Sequence, residues 1–324
     1  MTNSISLFGS DHPDIIFGTE GNDKIDALAG DDTMLGSQGN DTIVGGLGID
    51  TYDYSYLEPD TPITASLEIV FESITFPDGP GLSAISRVEI YVDKGEQGKD
   101  LIIDSVGELE QDRDPEPVVG KIIAPVGLDN TFQAPTGLGG SIDLSQNLYV
   151  FGGGPRIVGG VEFTIENFVN VIGNGNPDTI IGNEENNRLE GKGGDDFLDG
   201  GAGDDYLIGG TSNDTLVGGE GNDTLIGVDP QLQDPSVSGF FDQDVLIGGE
   251  GSDLFILGDS EGSFYTFGQD LDFATIEDFS AGDRIQLSPQ DTYSIQKSDG
   301  GFEIFAIRET GDDLVAKVIL ADFS

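Results

Sequence analysis

From Gly9 to Asp53 the chain repeats itself every nine residues, and nothing else in it restricts the fold as strongly. Five units follow one another as GSDHPDIIF, GTEGNDKID, ALAGDDTML, GSQGNDTIV and GGLGIDTYD. The sixth residue is always aspartate, at Asp14, Asp23, Asp32, Asp41 and Asp50, and the eighth is large and apolar, at Ile16, Ile25, Met34, Ile43 and Tyr52. A second run of six units starts at Gly173, with Asp178, Asn187, Asp196, Asp205, Asp214 and Asp223 in sixth place. After residues 227–238, a Pro-, Asp- and Gln-containing stretch that reads as a surface loop insertion, GFFDQDVLI and GGEGSDLFI add Asp244 and Asp253.

A repeat of this kind has one physical solution. Glycines at positions one, two and four, as at Gly200, Gly201 and Gly203, allow a tight turn that a side chain would forbid. The last three residues then run as a short strand. Residue eight points inward and its neighbours outward, so successive inward residues stack into a narrow apolar core, with two units to a coil.

Composition narrows the ligand. With 61 acidic and 13 basic side chains the formal net charge is −48, which repels phosphate and anionic lipid and excludes a nucleic-acid binder. Cysteine is absent, so neither disulfides nor thiolate metal sites hold the fold, and rigidity beyond packing falls to an oxygen-ligated metal, Ca²⁺ foremost. No stretch approaches the ~20 apolar residues of a membrane span, and Met1 to Ser10 carries no signal-peptide pattern. Export, if it occurs, is expected to do without a cleaved amino-terminal signal.

The thirteen units match G-G-x-G-x-D-x-U-x, where U is large and apolar, and in this they resemble the RTX (repeats-in-toxin, haemolysin-type) calcium-binding repeats. The resemblance implies an all-β fold, a parallel β-roll or β-solenoid built from two blocks of nonapeptides, with an intervening β region and a C-terminal β cap. It also implies that several Ca²⁺ ions lie between turns on one side of the roll, each shared by units two apart. The pairs would be Asp14 with Asp32, Asp23 with Asp41, Asp32 with Asp50, Asp178 with Asp196, Asn187 with Asp205, Asp196 with Asp214, and Asp205 with Asp223. Turn carbonyls would complete shells that suit Ca²⁺ better than Mg²⁺ or Zn²⁺. Residues 9–53 carry a net charge of −9 and residues 173–226 one of −10, so three and four such ions would nearly neutralise them. Asn187, with Glu185 in the usual glycine position, marks the weakest site. Pro13 and Pro177, at position five of the first unit of each block, read as caps.

The boundaries expected are 1–53 for the first block, 54–170 for the intervening β region, 171–256 for the second block and 257–324 for the cap. The middle region alternates apolar and polar residues, as in RVEIYV and KDLIIDSV, and reads as β structure with long loops, the acidic run Glu108 to Val118 among them. Residues 257–324, with DFATIEDFSAGDRIQL at Asp272 to Leu287, resemble the carboxy-terminal part of RTX proteins exported by type I secretion, whose signal is uncleaved and terminal. His12 is the sole histidine, which removes HExxH zinc chemistry and the usual hydrolase triads. The sequence therefore reads as an extracellular or cell-surface calcium-binding protein with a structural or adhesive role, a glycan or surface protein as partner, and no membrane insertion. The alternative is a carbohydrate-active enzyme on an RTX carrier, with Glu68, Glu72, Glu89, Asp93, Asp100 and Asp104 as candidate carboxylates.

Overall fold

Short strands joined by glycine turns are what the register dictates, and the computed structural model of the protein consists of them. It describes residues 4–55, 57, 63–74, 82–94, 99–105, 118–124, 130–134, 140–151, 157–158, 161–229, 242–265, 271–308 and 311–321. Among the described residues every regular element is a strand. The acidic run at 108–117 and the end of the chain at 322–324 lie outside them. The chain divides into two compact units, Met1–Thr136 with Gly140–Asn170, and Gly137–Gly139 with Val171–Ser324.

In the first unit two parallel ladders climb in steps of eighteen residues. One joins Ser6–Phe8, Lys24–Asp26 and Thr42–Val44; the other joins Ile15–Phe17, Thr33–Leu35 and Asp50–Asp53. The eighth residues Ile16, Ile25, Met34, Ile43 and Tyr52 fill the space between them. Both ladders run on beyond the repeats. Lys99–Ser105 pairs parallel with Thr42–Val44, and Val118–Ile123 with Asp50–Asp53, followed by Val161–Glu166. Ile102, Ile122 and Ile165 continue the apolar stack, each fully buried. The intervening sequence thus prolongs the roll, and it adds antiparallel excursions: Thr64–Ile74 against Leu82–Asp93, and Ser141–Asp143 against Leu148–Phe151.

Asn130 shows how a coil closes on neutral groups. Its buried amide oxygen accepts the Ile63 N–H at 2.9 Å and its amide nitrogen donates to the Asn167 carbonyl at 2.8 Å. One side chain thus bridges the two coils on either side of it.

The second unit follows the same plan. Arg188–Glu190, Tyr206–Gly210, Thr224–Val228, Leu254–Ile256 and Arg284–Gln286 form one parallel ladder. Thr179–Ile181, Phe197–Ala202, Thr215–Glu220, Gln243–Glu250, Phe273–Phe279 and Asp313–Leu320 form the other. Gly301–Ala306 and Tyr293–Ser298 then add antiparallel strands. Ile180, Leu189, Leu198, Leu207, Leu216, Leu225, Leu246 and Phe255, all eighth residues, are completely buried.

The insertion sits differently from the sequence reading of 227–238. Val228 pairs with Gly210, and a side chain at Gly227 would strike Asp244, as one at Gly191, Gly200, Gly209, Gly218 or Gly248 would strike the aspartate of its own unit. Gly227, Val228 and Asp229 therefore open the turn that Asp242, Gln243 and Asp244 close. Residues 230–241 lie outside the described residues.

Candidate metal centre

Position six stacks with a constant bond. The N–H of each sixth residue donates to Oδ1 of the sixth residue one coil later: Asp14 to Asp32 (2.8 Å), Asp23 to Asp41 (2.8 Å) and Asp32 to Asp50 (3.1 Å). In the second unit Asp178 bonds to Asp196, Asn187 to Asp205, Asp196 to Asp214 and Asp205 to Asp223, at 2.7–2.9 Å. Every pair drawn from the sequence is thus brought together. The chain extends the series across the insertion, Asp214 to Asp244 and Asp223 to Asp253, each at 2.9 Å. All these residues are buried except Asp14, which is half-exposed on the first coil.

The second carboxylate oxygen divides the units into two kinds. In Asp32, Asp50, Asp196, Asp205, Asp214, Asp223 and Asp253, Oδ2 is buried and meets no hydrogen-bond donor. In each of these units position two, namely Leu28, Gly46, Lys192, Gly201, Gly210, Gly219 and Gly249, has positive φ, which turns its N–H away from the aspartate. In the other kind position two carries Ser, Thr or Asn and closes the turn. Ser10 donates its N–H and hydroxyl to Asp14 Oδ2 (2.6 and 2.8 Å), and Thr19 does so to Asp23 (2.5 and 2.8 Å). Ser37 reaches Asp41 through its hydroxyl, while Asn174 and Asn183 reach Asp178 and Asn187 through their N–H groups. At Asp244 the buried Tyr265 hydroxyl donates to Oδ2 at 2.6 Å.

Electrostatics follow this division except at Asp244, which burial raises to about 7 despite the Tyr265 hydroxyl. Burial pushes the carboxyl of Asp205 up to about 7 and that of Asp196 to about 8, and at Asp214, with Asp244 and Asp196 alongside, to about 10. Asp50 and Asp223 rise to about 6 from the same cause. At Asp23 burial pulls upward too, but the N–H groups of Thr19 and Ile5 and the Thr19 hydroxyl outweigh it, and the carboxyl sits below its ordinary value. The open turns therefore present carboxylates whose charge is uncompensated by the chain.

What crowds those oxygens is more oxygen. A Cβ on Gly200 would meet both Asp205 Oδ2 and the carbonyl of Gly218, one coil further on; on Gly191, Asp196 Oδ2 and the carbonyl of Gly209; on Gly218, Asp223 Oδ2 and the carbonyl of Gly248. Carboxylate and carbonyl from successive coils thus converge where only glycine leaves room. A donor set of oxygens alone, with full charge and tolerant geometry, fits Ca²⁺, and it lacks the nitrogen or sulfur that zinc prefers.

The repeats can now be placed. Residues 8–43, 17–52, 172–207, 200–227 and 238–260 match the family described as RTX calcium-binding nonapeptide repeat (4 copies). These are RTX repeats. No curated protein matches the chain. Among solved structures, the extracellular lipase LipA from Serratia marcescens is similar at 15% identity and a TM-score of 0.23, over 98% of this chain and 38% of the lipase. The chain spans well under half of that lipase, and so loose a superposition carries no argument.

The RTX register also reaches residues that the sequence reading passed over. GEQGKDLII at 95–103 has glycine, aspartate and isoleucine in the proper places. Its described part pairs Leu101, Ile102 and Ile103 with Thr42, Ile43 and Val44, as a further unit would. Asp283 accepts the Asp253 N–H at 3.0 Å and so takes a sixth position, although Asp278, Phe279 and Ala281 stand where glycine is usual at positions one, two and four. Position five forms a second ladder: Asn40 N–H to Asn22, Asn222 N–H to Asp204, and Ser252 N–H to Asn222, at 2.8–3.1 Å. The frequent Asn and Asp at that position were the available signal.

His12 is exposed on the first turn. Of the candidate enzymatic carboxylates, Glu89 accepts the Tyr91 hydroxyl and Asp93 pairs with Lys99. At Glu68, Glu72, Asp100 and Asp104 the description stops at the backbone, which sets Glu68 opposite Glu89.

Proposed function

We propose that this is a secreted calcium-binding protein whose folding is driven by Ca²⁺ and whose role outside the cell, or at its surface, is structural or adhesive. The observation that carries the reading is the row of seven buried Oδ2 atoms without a donor, each in an open turn. Such a row is unfavourable as it stands and favourable once divalent ions bridge successive coils. The ligands would be Asp32 and Asp50 in the first block and Asp196, Asp205, Asp214, Asp223 and Asp253 in the second, with turn carbonyls. At the ~10⁻⁴ to 10⁻³ M dissociation constants of extracellular modules, 10 mM Ca²⁺ contributes roughly 1.4–2.7 kcal/mol per ion. A few such ions reach the ~5–15 kcal/mol of a whole domain. An extracellular setting, where calcium is plentiful, suits ions held at that affinity. The partner of such a polyanion is a glycan or a surface protein rather than nucleic acid or lipid.

The test is far-ultraviolet circular dichroism of the purified protein in calcium and after a chelator. Loss of the β spectrum on chelation and its return with calcium are expected. A spectrum that stays the same in excess chelator contradicts the reading.

A further inference from the structure

One turn already holds a cation of the chain's own. Lys94 follows the strand Leu82–Asp93, and its side chain is wholly buried. A buried ammonium requires a counter-charge and acceptors. Both come from the unit 36–44: Nζ donates to the Ser37 carbonyl at 2.6 Å and lies 3.7 Å from Oδ2 of Asp41, itself almost fully buried. The ring of Tyr54, 6.0 Å away, borders the same place. Asp41 Oδ2, which also accepts the Ser37 hydroxyl at 2.9 Å, is the counterpart of the oxygen that meets no donor in the seven open turns. The Ser37 carbonyl belongs to the same turn. The next rung of this ladder is Lys99–Ser105, so Lys94 lies just ahead of the stretch that leads into the following coil.

We propose that the Lys94 ammonium takes the cation position of the Ser37–Asp41 turn, making that turn independent of calcium and fastening the hairpin of residues 64–93 to the repeats. The inference rests on the reading of the open turns as calcium sites. The other lysine pairs of the first unit do not compete for this role. Among the described residues, Lys99 with Asp93 and Lys121 with Glu166 are about a third exposed or more, where an ion pair contributes little. In the second unit the chain closes one turn in a related way with a neutral group, the Tyr265 hydroxyl at Asp244. Lys94 differs in bringing the full charge that a buried carboxylate calls for.

The experiment compares calcium stoichiometry by titration calorimetry, and folding by circular dichroism, in the full chain and in Lys94→Met, Lys94→Met/Asp41→Asn and Lys99→Met. Lys94→Met should fold in calcium and bind one ion more than the parent. The double variant should fold with the parent's number, and Lys99→Met should match the parent. Lys94→Met that folds and gains no ion overturns the inference. So does a Lys94→Met that stays unfolded in calcium while the double variant folds, since calcium then cannot stand in for the ammonium. A parent that takes up no calcium overturns the reading of the open turns first and this inference with it. A parent that binds calcium beside a Lys94→Met that gains none overturns this inference alone.

Discussion

Asp178, Asp205 and Asn187 separate an open turn from a closed one at the level of single atoms. Asp205 has a buried Oδ2 without a donor, whereas Asp178 receives the Asn174 N–H and Asn187 the Asn183 N–H. Asp205→Asn should therefore lose calcium and lower the apparent affinity steeply, while Asp178→Asn should change stoichiometry little. Asn187→Asp should tighten calcium binding at the pair it forms with Asp205. Calorimetry on the three variants decides it, and equal losses for the two Asp→Asn changes would contradict the division of turns. Backbone strain gives an independent check. Ser212 adopts φ 85 at a position usually held by glycine, and the left-handed region costs a non-glycine residue ~1–2 kcal/mol. Ser212→Gly should raise stability in calcium by roughly 0.5–1 kcal/mol once glycine's own entropy cost is set against that. Denaturant titration measures the change, and a loss of stability would count against the strain. The sixth and eighth positions were legible in the sequence because composition alone marks them. The open or closed state of a turn follows position two, where Ser, Thr or Asn closes it and glycine, Leu28 or Lys192 with positive φ leaves it open, a signal that acquires meaning only once the fold shows this position beside the aspartate.

At the scale of the strand and turn, the nonapeptide is recognisable only when its neighbours are nine residues away. The unit at 95–103 escaped because its ladder partner, Thr42–Val44, is far off in sequence and the hairpin comes between them. Periodicity is a local signal, whereas pairing in a roll is set by coils, so one displaced unit looks like ordinary β sequence. The strand Asp313–Leu320 teaches the reverse lesson. Its Val315, Ala316 and Val318 are buried and pair with Phe273–Phe279 and Gly301–Ala306. A terminal stretch proposed to carry an export signal therefore also contributes core. Truncation before Val315 should lower the stability of the second unit by several kcal/mol, whatever it does to export, and hydrogen exchange of Phe273–Phe279 should rise. Unchanged exchange there would argue that the strand is dispensable.

For the whole molecule the dominant quantity is the net charge of −48, and its interplay with protons distinguishes calcium-loaded from calcium-stripped protein. An unfolded aspartate titrates near ~3.9, but in the fold burial raises Asp50 and Asp223 to about 6, Asp205 to about 7 and Asp196 to about 8. Stability from such groups is complete below the unfolded value and is lost as pH rises through the folded ones. Calcium-stripped protein should thus gain structure on acidification, with the change spread between about pH 8 and about pH 4. In calcium the order should invert, because protons displace the ion. Melting curves in both conditions test this, and a stripped protein that is more stable at neutral than at acid pH would refute it. The turn that holds residues 230–241 bears on how such a molecule diversifies. The ladders continue at Thr215 with Val245 and at Thr224 with Leu254, thirty residues apart in place of eighteen, and in the register of the uninterrupted coils. A turn whose first three residues and last three residues are each held by the coil beneath them can lengthen between those points without any strand being re-registered. Novel surface can then be acquired by lengthening a single turn, so a lineage can change what this scaffold displays while the scaffold's own sequence stays under the same constraints.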